Sequence, residues 1–411
     1  MESPQGTRAG GYRALLRNRP WLLWEVSATA ATVGYSVYAI SIPWFAYRAT
    51  GNFLVVGLVL FAEVGIYSLT FLAGPIVDRA RNKRSVYLAC YPAQAVAAAV
   101  LGLAIGMGFL SLALLFGLIG FLSLLWDFTW ATNNVVPRLL LDKDQLFRAG
   151  GLGTLLGGAT QLGGYSAGAF IVIVVGPSGG MLLYAAFLAA ATVLVLPVSL
   201  PSPPSPRAGY LAEFRDGWRY FSAKTGTALR QLATVEVVRG FFSIAPTLLI
   251  VVVAARQFVG SSDAYSILFV AWVVGGVAIA LFLGEWNPRR RIGWVLIGSV
   301  ASGAFLVALA VVPGLALLPG AAVWFFIGCA GTAYTSVLYV YLRGAYPPEA
   351  IGRITANLYL FTGTSASAGA VVLGAVAESW SLTDFGALIA LGLASVGGLL
   401  LALPAIRRLV F

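Results

Sequence analysis

Residues 53–84 read FLVVGLVLFAEVGIYSLTFLAGPIVDRARNKR, an apolar run that ends in a basic turn. The run from 53 to 75 contains a single charged residue, Glu63. A helix needs about 20 mostly apolar residues to cross the hydrocarbon core of a bilayer. Lys and Arg that follow such a run mark the cytoplasmic side of the membrane. The stretch therefore predicts a transmembrane helix that ends in a cytoplasmic turn.

The same pattern recurs along the whole chain. Hydrophobic residues make up 59% of the 411 and charged residues 10%, whereas a soluble domain is about half apolar and about a quarter charged. Twelve apolar stretches are long enough to span a bilayer: 21–47, 53–75, 85–106, 109–136, 151–175, 180–200, 229–255, 264–283, 292–312, 319–342, 353–377 and 384–406. We expect an all-α membrane protein with 12 transmembrane helices.

The positions of the basic residues fix the expected orientation. With the N-terminus in the cytoplasm, 23 of the 26 Lys and Arg fall in cytoplasmic segments. The external loops then hold only Arg48 and Arg256, and Arg239 lies within a span. We expect both termini in the cytoplasm and the protein in the inner membrane. The net charge of +11 is explained by topology and by contact with anionic lipid, without nucleic acid.

A polar break divides the chain into two sets of six spans. It begins with Pro-Ser-Pro-Pro-Ser-Pro at 201–206, which predicts a stiff linker. Aromatic and charged residues alternate behind it, which favours an amphipathic helix along the membrane surface over a plain linker. We expect a cytoplasmic tail at 1–20, a six-helix bundle at 21–200, a linker with its amphipathic helix at 201–228, and a second, pseudo-symmetric six-helix bundle at 229–411.

The turn after the second span carries a family resemblance. It reads Gly74-Pro-Ile-Val-Asp78-Arg79-Ala-Arg81-Asn-Lys83-Arg84 and resembles the signature loop of the major facilitator superfamily, roughly Gly-x-x-x-Asp-Arg-x-Gly-Arg-Arg. The loop after the eighth span, residues 284–291, is a weak repeat of it. The resemblance implies two bundles that rock about a central cavity. It also implies that Gly74, Asp78, Arg79, Lys83 and Arg84 form a cytoplasmic gating loop, with Asp78 capping a helix across the seam.

Weaker matches point to the twelve-helix drug:proton antiporter branch, which includes multidrug, macrolide and siderophore exporters. They lie around Pro43 to Gly51, at Pro137 to Leu146, in the central linker, and at Pro347 to Arg353. Two features depart from the antiporter pattern. Gly164 stands where the fifth helix of antiporters has proline, and the fourth span has no basic residue between 122 and 136.

Ionisable residues within spans are costly and are therefore candidates for function. Histidine is absent, so any proton coupling depends on carboxylates. Glu63 is the first candidate, and its alternative is a protonated acid that donates one hydrogen bond between helices. Asp127 is the second, and its alternative is a latch with a base of the gating loop. Glu25, near the cytoplasmic headgroups, could instead pair with Arg19 or the loop bases.

The remaining candidates are a charged pair and four aromatics. Glu236 and Arg239 lie one helical turn apart, so a structural ion pair is an alternative to a role in the cavity. Aromatic residues near the middle of spans could line an apolar cavity for an amphipathic substrate, although each could equally be packing: Tyr35, Tyr38, Trp126 and Trp130.

The sequence contains no catalytic motif, no phosphate loop and no cluster of metal ligands, so we expect no enzyme, cofactor or metal site. We expect a monomeric secondary transporter that exports amphipathic or lipophilic small molecules by exchange with protons. Two alternatives stay open. One is a facilitator or symporter of a polar metabolite. The other is a lipid-handling protein, such as a flippase or a lipid-modifying enzyme.

Overall fold

The computed structural model describes residues 12–67, 76–77, 80, 82–201, 227–285, 291–346, 348–407 and 409. Every regular element in these ranges is helical. Several predicted features lie outside the described residues: the first part of the N-terminal tail, the amphipathic helix of the linker, and Gly74, Asp78 and Arg79 of the gating loop.

We number the helices in chain order. They are α1 (Tyr12–Arg17), α2 (Arg19–Thr50), α3 (Phe53–Tyr67), α4 (Lys83–Gly106), α5 (Leu112–Val135), α6 (Pro137–Leu140), α7 (Lys143–Val195), α8 (Thr227–Ser243), α9 (Ala245–Arg256), α10 (Ser262–Glu285), α11 (Ile292–Ala310), α12 (Leu317–Ala345), α13 (Pro348–Ser379), α14 (Leu382–Ala402) and α15 (Pro404–Arg407).

These helices give the 12 predicted crossings. Nine stretches of the described helices are long and apolar enough to span a bilayer: one each in α4, α5, the second part of α7, α8 with α9, and α10 to α14. The other three crossings are α2, α3 and the first part of α7. The 32 residues of α2 extend about 48 Å at 1.5 Å per residue, well over the thickness of the hydrocarbon core.

Two predicted spans differ in detail from the helices. The fifth span was expected at 151–175, but α7 begins at Lys143, because Asp142 starts the helix and its backbone N–H is bound by the side chain of Gln145. The seventh span was expected as one helix over 229–255. It is interrupted at Ile244 because Pro246, in the first turn of α9, lacks a backbone N–H.

The connections differ between the two ends of the molecule. We call the end that carries Arg17, Lys83, Arg84 and Arg291 the basic end. At the opposite end, five of the six connections contain a glycine with positive φ. Such a backbone conformation is strained for residues with a Cβ and lets the chain reverse within a few residues. The glycines are Gly51, Gly108, Gly176, Gly260 and Gly314.

The packing of the first six spans recurs in the second six. In the first bundle α2 packs on α7, and α4 packs on both α5 and α7. In the second bundle α8 packs on α13, and α11 packs on both α12 and α14. The second set of contacts follows from the first by a shift of six spans. The described residues thus form two pseudo-symmetric six-helix bundles, as the sequence predicts.

The bundles meet along two helix pairs, α3 with α13 and α7 with α10. In the first pair the backbones approach closely at glycines: a Cβ on Gly57 would overlap the carbonyl oxygen of Ala370 and lie 3.0 Å from the Cα of Gly374. In the second pair the rings of Tyr165 and Phe269 are 5.5 Å apart. Small residues at such contacts are what close packing of membrane helices requires.

Hydrogen bonds between the bundles close the seam at the opposite end. The hydroxyl of Tyr265 donates to the carbonyl oxygen of Ile40 at 2.9 Å, and the indole of Trp44 donates to Ser262 at 3.1 Å. Arg48 donates to the carbonyl oxygen of Gly260 at 3.2 Å. The rings of Trp44 and Tyr265 also stack, with centroids 4.7 Å apart. The opposite end is therefore shut in this conformation.

Candidate functional site

A cavity of about 170 Å³ lies within the first bundle, between α2, α3, α5 and the second part of α7. Aromatic rings and one carboxyl group dominate its wall. The lining residues are Tyr35, Tyr38, Glu63, Val64, Leu122, Ser123, Trp126 and Tyr184.

Glu63 is the charged residue of this wall. The Tyr35 hydroxyl donates a hydrogen bond to Oε1 of Glu63 at 2.7 Å, which ties α2 to α3. No basic side chain of the described part pairs with Glu63, which lies half-buried beside the seam.

The aromatic wall consists of two ring pairs. Tyr35 and Trp126 stack with centroids 4.5 Å apart and planes 21° apart. Tyr38 and Tyr184 form a tilted pair at 5.5 Å. The hydroxyl of Tyr38 is buried and has no hydrogen-bond partner among the residues described. A buried polar group of this kind normally has a partner, so a ligand or water molecule could bind to it.

A second glutamate is held very differently in the other bundle. Arg239 donates to both oxygens of Glu236, at 2.9 Å from Nε and 2.6 Å from a terminal nitrogen. Glu236 also accepts hydrogen bonds from Tyr334 at 2.8 Å and Thr362 at 3.1 Å. The guanidinium lies 4.7 Å from the centre of the Tyr334 ring. The carboxylate is therefore fully bonded within the bundle, and its charge is neutralised.

The two glutamates differ in their partners. Each accepts a hydrogen bond from a tyrosine, Tyr35 in one bundle and Tyr334 in the other. Only Glu236 has a cation beside it within the described residues. Burial of a carboxylate is costly unless it is paired, and among the described residues Glu63 lacks the cationic partner that Glu236 has.

The structure brings together four of the predicted cavity residues: Tyr35, Tyr38, Glu63 and Trp126. The others lie elsewhere. Asp127 is buried but does not line the cavity, and Trp130 lies one turn further along α5. Glu236 and Arg239 form their ion pair in the second bundle. Glu25 is half-buried on α2, away from the cavity wall.

Two residues of the predicted gating loop are described. Lys83 is buried, and its ammonium group donates to the carbonyl oxygens of Val77 at 2.6 Å and Ala80 at 3.0 Å. Arg84 donates to the carbonyl oxygen of Leu196, so it ties the loop to the end of α7. Both side chains hold the turn between the second and third spans. Their predicted part in gating stays a prediction.

Four lining residues were not among the sequence candidates: Val64, Leu122, Ser123 and Tyr184. Val64 adjoins Glu63, and Ser123 lies three residues before Trp126 on the same helix face, so helical spacing could have indicated it. Tyr184 carries no such signal, because its span is otherwise apolar. Among the described residues, no group of three or more Cys, Asp or Glu could hold a metal ion.

The fold is that of the major facilitator transporters, and the chain is a multi-pass membrane protein. A scan against protein-family models finds no match, and a search of curated proteins also finds none. Solved structures do match over nearly their whole length. The nucleoside transporter NupG is 13% identical with a TM-score of 0.75, and the match covers 93% of this chain and 98% of NupG.

Two further structures give the same picture. A POT family transporter in complex with 5-aminolevulinic acid is 13% identical, with a TM-score of 0.73 over 96% of this chain and 97% of its own. A D-xylose-proton symporter is 12% identical, with a TM-score of 0.73 over 95% and 97%. At these identities the likeness establishes the fold. The resemblance to the drug:proton antiporter branch stays a prediction.

Proposed function

We propose that this protein is a secondary active transporter that works by alternating access between its two bundles. The fold supports this proposal, since the solved structures that share it are transporters. The seam supports it as well, because hydrogen bonds across the two bundles close one end of the molecule. Transport then requires these contacts to break in each cycle.

The proposal that transport is coupled to protons rests on the surroundings of the Glu63 carboxyl group. Its carboxyl group faces a cavity, and its hydrogen-bond partner is the neutral hydroxyl of Tyr35. A carboxyl group without a paired cation can release its proton when a substrate or water stabilises the charge, and rebind it afterwards. Among the described lining residues, the other titratable groups are tyrosines: Tyr35, Tyr38 and Tyr184.

We propose export as the direction of transport, on the basis of the expected orientation. If the basic end faces the cytoplasm, the closed end faces outward. A cavity shut on the outside is then reached from the cytoplasm or the inner leaflet, as the loading step of export requires. The faces of the aromatic rings in the wall suit an amphipathic or lipophilic molecule. Asp127 stays a second candidate for coupling, although it lies off the cavity wall.

Proteoliposomes with an internal pH dye test this proposal. Addition of an amphipathic probe, rhodamine 6G or the uncharged chloramphenicol, to the wild-type protein should move protons across the membrane. Glu63→Gln should abolish that movement, and Asp127→Asn shows whether the second acid contributes. Asp384→Asn is the matched control, since the side chain of Asp384 accepts a hydrogen bond from Ser381 of its own helix end and lies outside the cavity wall. Unchanged proton movement in Glu63→Gln would show that Glu63 does not couple transport.

A facilitator or symporter of a polar metabolite is the second candidate. The specific support is that matched structures include a nucleoside transporter and a D-xylose-proton symporter. The hydroxyl groups of Tyr38 and Ser123 in the cavity wall could bind such a substrate. Uptake of labelled uridine or xylose driven by an imposed pH step, absent from empty liposomes, would favour this candidate over export of amphipathic molecules.

A further inference from the structure

We propose that the cavity of the first bundle binds an organic ammonium group, held between the Glu63 carboxylate and the rings of Tyr35, Tyr38, Trp126 and Tyr184. This inference rests on the proposed function in one respect, because it takes the cavity as the place where substrate binds. It adds the charge and the size of the group that the cavity accepts.

The charge of the cavity favours a cation. The described lining residues include one carboxylic acid, Glu63, and no basic residue. In the second bundle the negative charge of Glu236 is already neutralised, because Arg239 donates to both of its oxygens. Glu63 has one oxygen bonded to a phenol, and no cation of the described part contacts the other. A ligand that brings a positive charge supplies the missing partner, whereas an anion would be repelled.

The aromatic rings favour an organic cation over a metal ion. Electron-rich ring faces attract ammonium groups, and clusters of such rings bind quaternary ammonium ligands. Four rings line this cavity in two pairs, at 4.5 Å and 5.5 Å between centroids. A metal ion would need several oxygen ligands close together, and the wall offers a single carboxyl group. The same site therefore binds methylated or alkylated nitrogen better than a bare ion.

The size of the cavity limits what it can enclose. A cavity of about 150 Å³ holds a benzene molecule, and this one measures about 170 Å³. A trimethylammonium group is of similar size and fits. Sites that enclose whole drug-like ligands measure about 300–1,000 Å³. In this conformation the cavity encloses the charged head of an amphipathic substrate while the apolar remainder lies outside it.

Equilibrium binding to the purified full-length protein tests this inference without any transport step. The probe is radiolabelled choline, with tetramethylammonium and 3,3-dimethylbutan-1-ol as unlabelled competitors. The alcohol is the uncharged carbon isostere of choline. Choline should bind, tetramethylammonium should displace it, and the alcohol should compete at least tenfold less well. Glu63→Gln should weaken choline binding at least tenfold, and Asp384→Asn should leave it unchanged.

A second pair of variants tests choline binding even if the Glu63→Gln protein does not fold. Trp126→Phe retains a ring at the wall and should bind choline within a few-fold of wild type, whereas Trp126→Leu removes the ring and should lose most binding. Equal competition by choline and the alcohol, undiminished binding in Glu63→Gln, or no choline binding at all would each overturn the inference. None of these results would change proton movement driven by chloramphenicol. The binding inference can therefore fail while the proposed transport function holds.

Discussion

Oε2 of Glu378 accepts a hydrogen bond from the backbone N–H of Phe53, with 2.7 Å between the two atoms. Phe53 is the first residue of α3 in the first bundle, and Glu378 lies near the end of α13 in the second. The first N–H groups of a helix lack partners within it and favour negative charge. A carboxylate of one bundle thus caps a helix of the other, at the end where the seam is shut.

Loss of this cap should favour opening at the opposite end. Removal of a capping side chain costs about 0.5–2 kcal/mol, which corresponds to about a 2- to 30-fold change in the ratio of closed to open molecules. We expect Glu378→Ala to lengthen the distance between spin labels at Thr50 and Val259, two exposed positions on different bundles. Asp384→Asn is the control. An unchanged distance distribution would mean that the cap does not hold the seam.

The glycine contact between α3 and α13 should be equally sensitive. A side chain at position 57 would overlap the backbone of α13, so Gly57→Val should prevent closure at the opposite end or lower the melting temperature. Gly117→Ala is the control, because a Cβ there meets nothing within 4 Å and alanine stabilises a helix relative to glycine. Spin-label distances and thermal unfolding would measure both. A Gly57→Val protein indistinguishable from wild type would contradict the packing.

The ion pair of the second bundle should contribute to stability as a unit. Arg239→Met leaves the buried Glu236 carboxylate without a cation, and breaking a buried pair this way costs about 3–5 kcal/mol. We therefore expect a clear fall in melting temperature. The double variant Glu236→Gln with Arg239→Met removes both charges and should recover much of the loss. If single and double variants melt at the same temperature, the pairing is not what stabilises the helix.

The orientation can be tested by labelling of single cysteines in intact cells. Val259 is exposed at the opposite end and Ala345 at the basic end. In a background without Cys90 and Cys329, Val259→Cys should react with a membrane-impermeant maleimide. Ala345→Cys should react only after the cells are permeabilised. The reverse pattern would place the basic end outside and would also reverse the proposed direction of transport.

The number and order of the spans could be predicted because each depends on a local property, an apolar run long enough to cross a bilayer. The helix boundaries depend on single capping residues and prolines, and the mean hydropathy of a stretch does not detect them. α7 begins at Lys143, directly after Asp142 and eight residues before the apolar run that starts at 151. Pro246 interrupts a second apolar run, at 229–255, that looks continuous in the sequence. The basic residues at 81 to 84 indicated a turn, but not that Lys83 would be buried against carbonyl oxygens.

The cavity was predictable only in part, for a geometric reason. Successive residues of a helix point about 100° apart, so a cavity lined by Trp126 need not be lined by Asp127 as well. The sequence could not decide which of them lines it. Tyr35, Glu63 and Tyr184 lie on three helices, and their meeting depends on how those helices are rotated against each other. That rotation is set by tertiary contacts such as Gly34 against Tyr184 and Phe187.

The short glycine turns at the opposite end also limit how the protein can be handled. Between α4 and α5 only residues 107–111 connect the helices, and only 380–381 connect α13 and α14. These short connections offer few loop residues for an antibody to bind or a protease to cleave. Fiducial domains for electron microscopy and affinity tags therefore belong on the other face.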